Sequence, residues 1–148
     1  MSLQKMFATD ASREERGVAV LYTNFRITLA RAGGANRKYQ RELEALLKPH
    51  RMALVRGVFP VDQLEPIYRE VYANSVVLNW ETKRIQEDGS EIWVQGIEME
   101  DGAELTPFSA AAVLAAFNRY PELYPDVKEQ ASNIQLYRAA VQEAVEGN

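Results

Sequence analysis

The chain has 148 residues, of which 47% are apolar and 26% charged, with no cysteine, one histidine and a formal charge of −4. Those proportions suit one folded domain and exclude a disordered segment. The missing thiols exclude disulfides, zinc–thiolate sites, iron–sulfur clusters and cysteine nucleophiles.

Met1 to Asp10 is mixed polar and lacks the apolar stretch of a secretory signal. No apolar run nears the roughly 18–20 residues that span a bilayer. Both features predict a cytoplasmic protein without a membrane partner. Ala11 to Arg16 reads as a polar loop or short helical turn. Gly17 opens the β-rich stretch Val18 to Tyr22, and Thr23-Asn24 is a turn signal. Phe25 to Arg31 then alternates, with Phe25, Ile27 and Leu29 on one face. Period-two alternation marks a half-buried strand, so residues 17–31 predict a β-hairpin. A lone hairpin is marginal in water and must pack on helices or other strands.

Gly33-Gly34 ends the hairpin, and Asn36 is placed to cap a helix. Tyr39, Leu43, Leu46 and Leu47 then fall at i, i+4, i+7 and i+8, the spacing of an amphipathic helix within 36–56. Arg37 and Lys38 occupy its first turn, where the helix dipole disfavours cations. Pro49 ends or kinks it. A long helix is predicted over 63–82, with Leu64, Ile67, Val71 and Leu78 in one stripe and Tyr68, Tyr72, Val76 and Trp80 beside it.

Asp88-Gly89-Ser90 and Asp101-Gly102 are turn signals, and the runs Glu91 to Gln95 and Gly96 to Met99 between them have strand character. Residues 85–108 therefore predict a small second hairpin or an irregular β-arm. Ser109 caps a helix over 110–119. A last helix is predicted over 121–145, carrying Leu123, Val127, Ala131, Ile134, Val141 and Val145, with Gly147-Asn148 as its stop. The expected fold is α+β and mostly helical. It is a single domain over 1–148, with the hairpin packed on about four helices and the β-arm around residues 90–100.

The residues supply little for catalysis. His50 lies between Pro49 and Arg51, where a cation neighbour does not make it a better base. Glu98, Glu100, Asp101 and Glu104 crowd one turn but lack EF-hand spacing, and read as a solvated acidic loop. Ser109 has no nucleophile-elbow setting. Gly33 to Asn36 matches neither glycine-rich phosphate motif. We therefore expect no catalytic residue, metal or cofactor, and a protein that works by binding. Charge is uneven along the chain. Residues 23–59 hold eight basic side chains against two acidic, and residues 60–148 hold six against sixteen. A basic surface of this kind fits an acidic partner, whether protein, nucleic acid or a second copy. Nucleic acid is disfavoured by the overall acidity, by the absence of a helix-turn-helix or RNP motif, and by Tyr39 lying on the apolar stripe.

One series of residues resembles a known family. Phe25-Arg26-Ile27-Thr28-Leu29-Ala30-Arg31-Ala32-Gly33-Gly34-Ala35-Asn36-Arg37-Lys38-Tyr39 is similar to the N-terminal signature of tail assembly chaperones of long-tailed bacteriophages. Further similarities follow in order: Tyr72 to Trp80-Glu81, the Asp88-Gly89 turn, Thr106-Pro107-Phe108-Ser109, Pro121-Glu122-Leu123-Tyr124, Ala131-Ser132-Asn133, Tyr137-Arg138 and the terminal Glu-Gly-Asn. Ile85 to Leu105 departs from that pattern. The resemblance implies a bacterial cytoplasmic protein, absent from the mature virion, that holds the tape measure protein while tail tube protein polymerises around it. It also implies self-association. The candidate partner-binding residues are Phe25, Ile27, Arg31, Arg37, Lys38, Tyr72 and Trp80. The basic segment 26–56 is expected to meet the acidic C-terminal part of a neighbouring copy. The competing readings are a structural tail or head–tail connector component and a small nucleic-acid-binding regulator.

Overall fold

A computed structural model describes residues 2–139. Two short helices come first. Ser2 caps α1 (Leu3–Phe7) by accepting from the Lys5 amide, and Asp10 caps α2 (Ala11–Arg16) by accepting from Ser12 and Arg13. The expected hairpin forms from β1 (Val18–Leu21) and β2 (Phe25–Leu29), with Val20 opposite Ile27. A helical excursion follows. It comprises α3 (Arg37–Leu47), a 3-10 turn over Lys48–His50, α4 (Arg51–Val55), a second 3-10 turn over Val61–Gln63 and α5 (Leu64–Ser75).

The helix predicted over 63–82 stops at Ser75, and β3 (Val77–Ile85) takes over. Spacings of four and seven among Val71, Val76, Leu78 and Trp80 suit a helix. However, Val76 and Val77 are β-branched, and strand pairing outweighs local pattern. β3 pairs antiparallel with β2, placing Trp80 opposite Ile27, with one register slip between Thr28 and Leu29. β4 (Glu91–Gln95) pairs with β3 across the predicted Asp88-Gly89-Ser90 turn, so the sheet order is β1-β2-β3-β4. The second β-arm exists, in the irregular form rather than as one hairpin. Glu91–Gln95 does not pair with the run after it. Instead β5 (Ile97–Glu98) pairs with β6 (Leu105–Thr106) around Asp101-Gly102. Gly96 makes the switch at φ +114°, where an added Cβ would stand 2.9 Å from the Leu105 Cβ.

Asn36 precedes α3 as predicted but makes no capping bond. Its buried amide instead donates to the carbonyls of Arg31 and Ser75, both at 2.9 Å. Ser109 does cap α6 (Ala110–Arg119), accepting from the Ala112 amide at 3.0 Å. The last predicted helix is shorter than expected. α7 (Leu123–Ser132) ends at Asn133, whose side chain accepts from the Gln135 amide and starts a 3-10 turn over Ile134–Tyr137. Val141, Val145 and the Gly147-Asn148 stop lie outside the described residues.

The fold is thus α+β, as expected. One sheet face packs on α5, α6 and α7 through Ile27, Leu29, Val76, Trp80, Val113, Phe117 and Val127. Aromatic rings meet edge to face there: Tyr72 with Tyr124 at 5.3 Å and Phe117 with Tyr124 at 5.6 Å. Tyr39 extends the series from α3 onto Tyr72 at 5.8 Å. Burial raises the phenol pKa of Tyr22, Tyr39, Tyr72 and Tyr137 above its ordinary value, and pushes Tyr124 up to about 12. Tyr22 is raised further by its 2.5 Å bond to the Asp126 carboxylate. Each raised pKa favours the protonated native form. The associated stability is complete below about pH 10 and falls as pH rises past it. Ultraviolet titration should therefore find these five phenols still protonated where free tyrosine ionises, and then ionising together with unfolding. Smooth titration of all seven tyrosines near pH 10 would contradict the packing.

Candidate interaction surface

The seven sequence-predicted residues do not form one surface. Ile27 (2% exposed), Tyr72 (2%) and Trp80 (1%) are core residues. The apolar stripes that suggested contact are the stripes that pack the sheet on the helices. Arg31 is committed to a partly buried ion pair with Glu14, whose other oxygen accepts from the Thr9 hydroxyl at 3.1 Å. Gly34 touches this pair closely enough that a Cβ would collide with the Glu14 carboxylate, so the Gly33-Gly34 turn serves close packing. Arg37 and Lys38 are exposed at the start of α3. With Arg41 and Glu15 they flank an open hollow of about 380 Å³.

Phe25 is half-buried and stacks on Tyr22 at 4.7 Å. It also lines an apolar pocket of about 190 Å³. Ile27 and Trp80 contribute to that pocket from the sheet, Ile97 and Met99 from the β5 arm, and Ala116, Tyr120 and Leu123 from the α6–α7 corner. The Tyr120 hydroxyl donates to the Met99 carbonyl at 2.5 Å, pinning the arm over the helices. Glu98 stands in the lining. Asp101 joins it at a neighbouring hollow that shares Phe25, Ile97 and Glu98. These lining residues come from five elements, and no local spacing in the sequence announces them.

A second feature is the turn between α3 and α5, here called the elbow. Met52, Val55, Val58 and Val61 are between 64% and 81% exposed there. Lys48, Arg51 and Arg56 flank them, and no carboxylate occurs between Glu44 and Asp62. Apolar side chains exposed together are what a contact region offers, and these four fall within ten residues of chain. The His50 ring packs at a tilt against Phe59 at 4.8 Å within this turn, a packing role for the only histidine.

The acidic turn at 98–104 is partly neutralised. Glu98 pairs with Arg84 at 3.8 Å, and Glu100 pairs with Arg119. Among the described residues, no group of three or more His, Cys, Asp or Glu side chains is placed to hold a metal ion. No described helix is long and apolar enough to cross a membrane.

Residues 34–148 match the family model described as YdaY prophage protein. The matched stretch holds the elbow and the helical side of the pocket, and begins just after the hairpin. No curated protein matches the chain. No solved structure matches it.

Proposed function

We propose, for a chain that belongs to the YdaY prophage protein family, the role of a non-catalytic tail assembly chaperone in the cytoplasm of the bacterial host. Its client is the tape measure protein, held while tail tube protein polymerises, and it leaves before the virion is complete. The observation that carries this reading is the elbow. A chaperone of an extended apolar client needs a surface that is apolar, accessible and adaptable. The elbow offers Val55, Val58 and Val61 with the flexible Met52 in a cationic surround. Each such contact is weak, and a long client engages many copies at once, so avidity supplies the affinity.

Co-expression with the prophage's tape measure protein tests the proposal. Wild type should raise the soluble yield of that client. The double substitution Val55→Asn with Val58→Asn should return the yield to the level seen without chaperone. Because both positions are exposed, its own stability should change by less than about 0.5 kcal/mol per site. An unchanged client yield with wild type would remove the chaperone role.

A further inference from the structure

The apolar pocket and the elbow are complementary in size and charge. At about 190 Å³ the pocket exceeds the roughly 150 Å³ of an apolar cavity that holds one benzene-sized group. It falls short of the roughly 300 Å³ at which small-molecule sites begin. It is therefore sized for one side chain. Glu98 stands in its lining, Asp101 lines the hollow next to it, and segment 98–104 holds four carboxylates and no cation. Arg84 and Arg119 answer only two of the four. The elbow carries the converse, with Val55 78% exposed between Arg51 and Arg56.

We propose that the pocket is a socket for the elbow of a second copy. Val55 enters the apolar space, and Arg51 and Arg56 face Glu98 and Asp101. The two patches are different, so the contact is heterologous and the pair keeps one free elbow, on one copy, and one free socket, on the other. One inserted side chain covers far less than the roughly 1,000 Å² of a stable interface, so the contact is weak and reversible. It buries the exposed apolar tip when no client is present, and client binding displaces the neighbour. Only that displacement rests on the chaperone reading; the contact between copies does not require it.

Sedimentation of the full chain at concentrations up to about 1 mM, the range of so small an interface, tests the proposal. Wild type in low salt should show a mass rising with concentration. Going from about 0.05 M to about 0.5 M salt should weaken association about fivefold, because the screening length shrinks below the spacing of the rim charges. Val55→Asn lacks the plug, and Glu98→Lys with Asp101→Lys lacks the socket. Each should remain monomeric alone. Mixed in equal amounts, they should form a dimer and nothing larger, because only one intact plug and one intact socket remain. A monomeric wild type would overturn the proposal, as would either variant associating like wild type or a mixture that stays monomeric. Client solubilised by a monomeric wild type would remove the socket alone. Association without client rescue would remove the chaperone reading alone.

Discussion

Replacing Trp80 with alanine should lower stability by about 3–5 kcal/mol, the range for emptying an aromatic core site. The indole is 1% exposed and meets the Phe108 ring edge to face at 6.1 Å. Its Nε1 donates to the Thr106 carbonyl at 2.9 Å, tying β6 down onto the sheet. Alanine removes the ring, the edge contact and the donor, and opens the void into the existing pocket. A domain of ordinary stability has only about 5–15 kcal/mol in total, so the variant should be partly unfolded near body temperature. The check is the urea midpoint. Trp80→Phe keeps most of the volume and loses the hydrogen bond, and should cost clearly less. A shift below about 1 kcal/mol for Trp80→Ala would contradict core burial and reopen a surface role for this residue.

Asn36→Ala should cost about 2–4 kcal/mol. Each buried carbonyl stripped of its donor loses about 1–3 kcal/mol, and Asn36 serves two, those of Arg31 and Ser75. Asn36→Asp discriminates between capping and this clamp. Asp caps a helix as well as Asn does, so a capping role predicts little change. A clamp predicts a large loss, because a carboxylate has no proton to give and faces two carbonyl oxygens. Equal stability of Asn36→Asp and wild type by thermal melting would refute the clamp.

Elements that obey one local rule were legible in the sequence. The alternation of Phe25, Ile27 and Leu29 fixes the hairpin strand, and the Tyr39–Leu43–Leu46–Leu47 stripe fixes α3. Ser109 is a cap by chemistry and by observation. The strand Val77–Ile85 was not legible. Its apolar residues fit helical spacing as a continuation of α5, and the partner that decides the matter is β2, far away in the chain. Asn36 illustrates the same limit at one residue, because position named it a cap while tertiary contacts employ it elsewhere. The pocket had no local signal at all. The elbow's apolar residues are visible among Arg51 and Arg56 in the sequence, but their exposure is decided by tertiary packing. For Ile27, Tyr72 and Trp80 the ordinary expectation for apolar stripes, core packing, was the correct one.

The clamp also bears on how the chain assembles itself. β2 and β3 are partners roughly fifty residues apart, and closing such a loop costs about 2 kcal/mol more than closing a four-residue turn. Local pieces, the β1–β2 hairpin and the α3–α5 helical pair, form cheaply, whereas the joining of strand to strand is the slow, entropy-limited step. Asn36 bonds to Arg31 and to Ser75, the two residues at which the helical excursion leaves the sheet and returns to it. Once that side chain is engaged, the distance along the chain no longer matters: the excursion has become a closed ring, and β3 begins two residues from its partner's end of the knot.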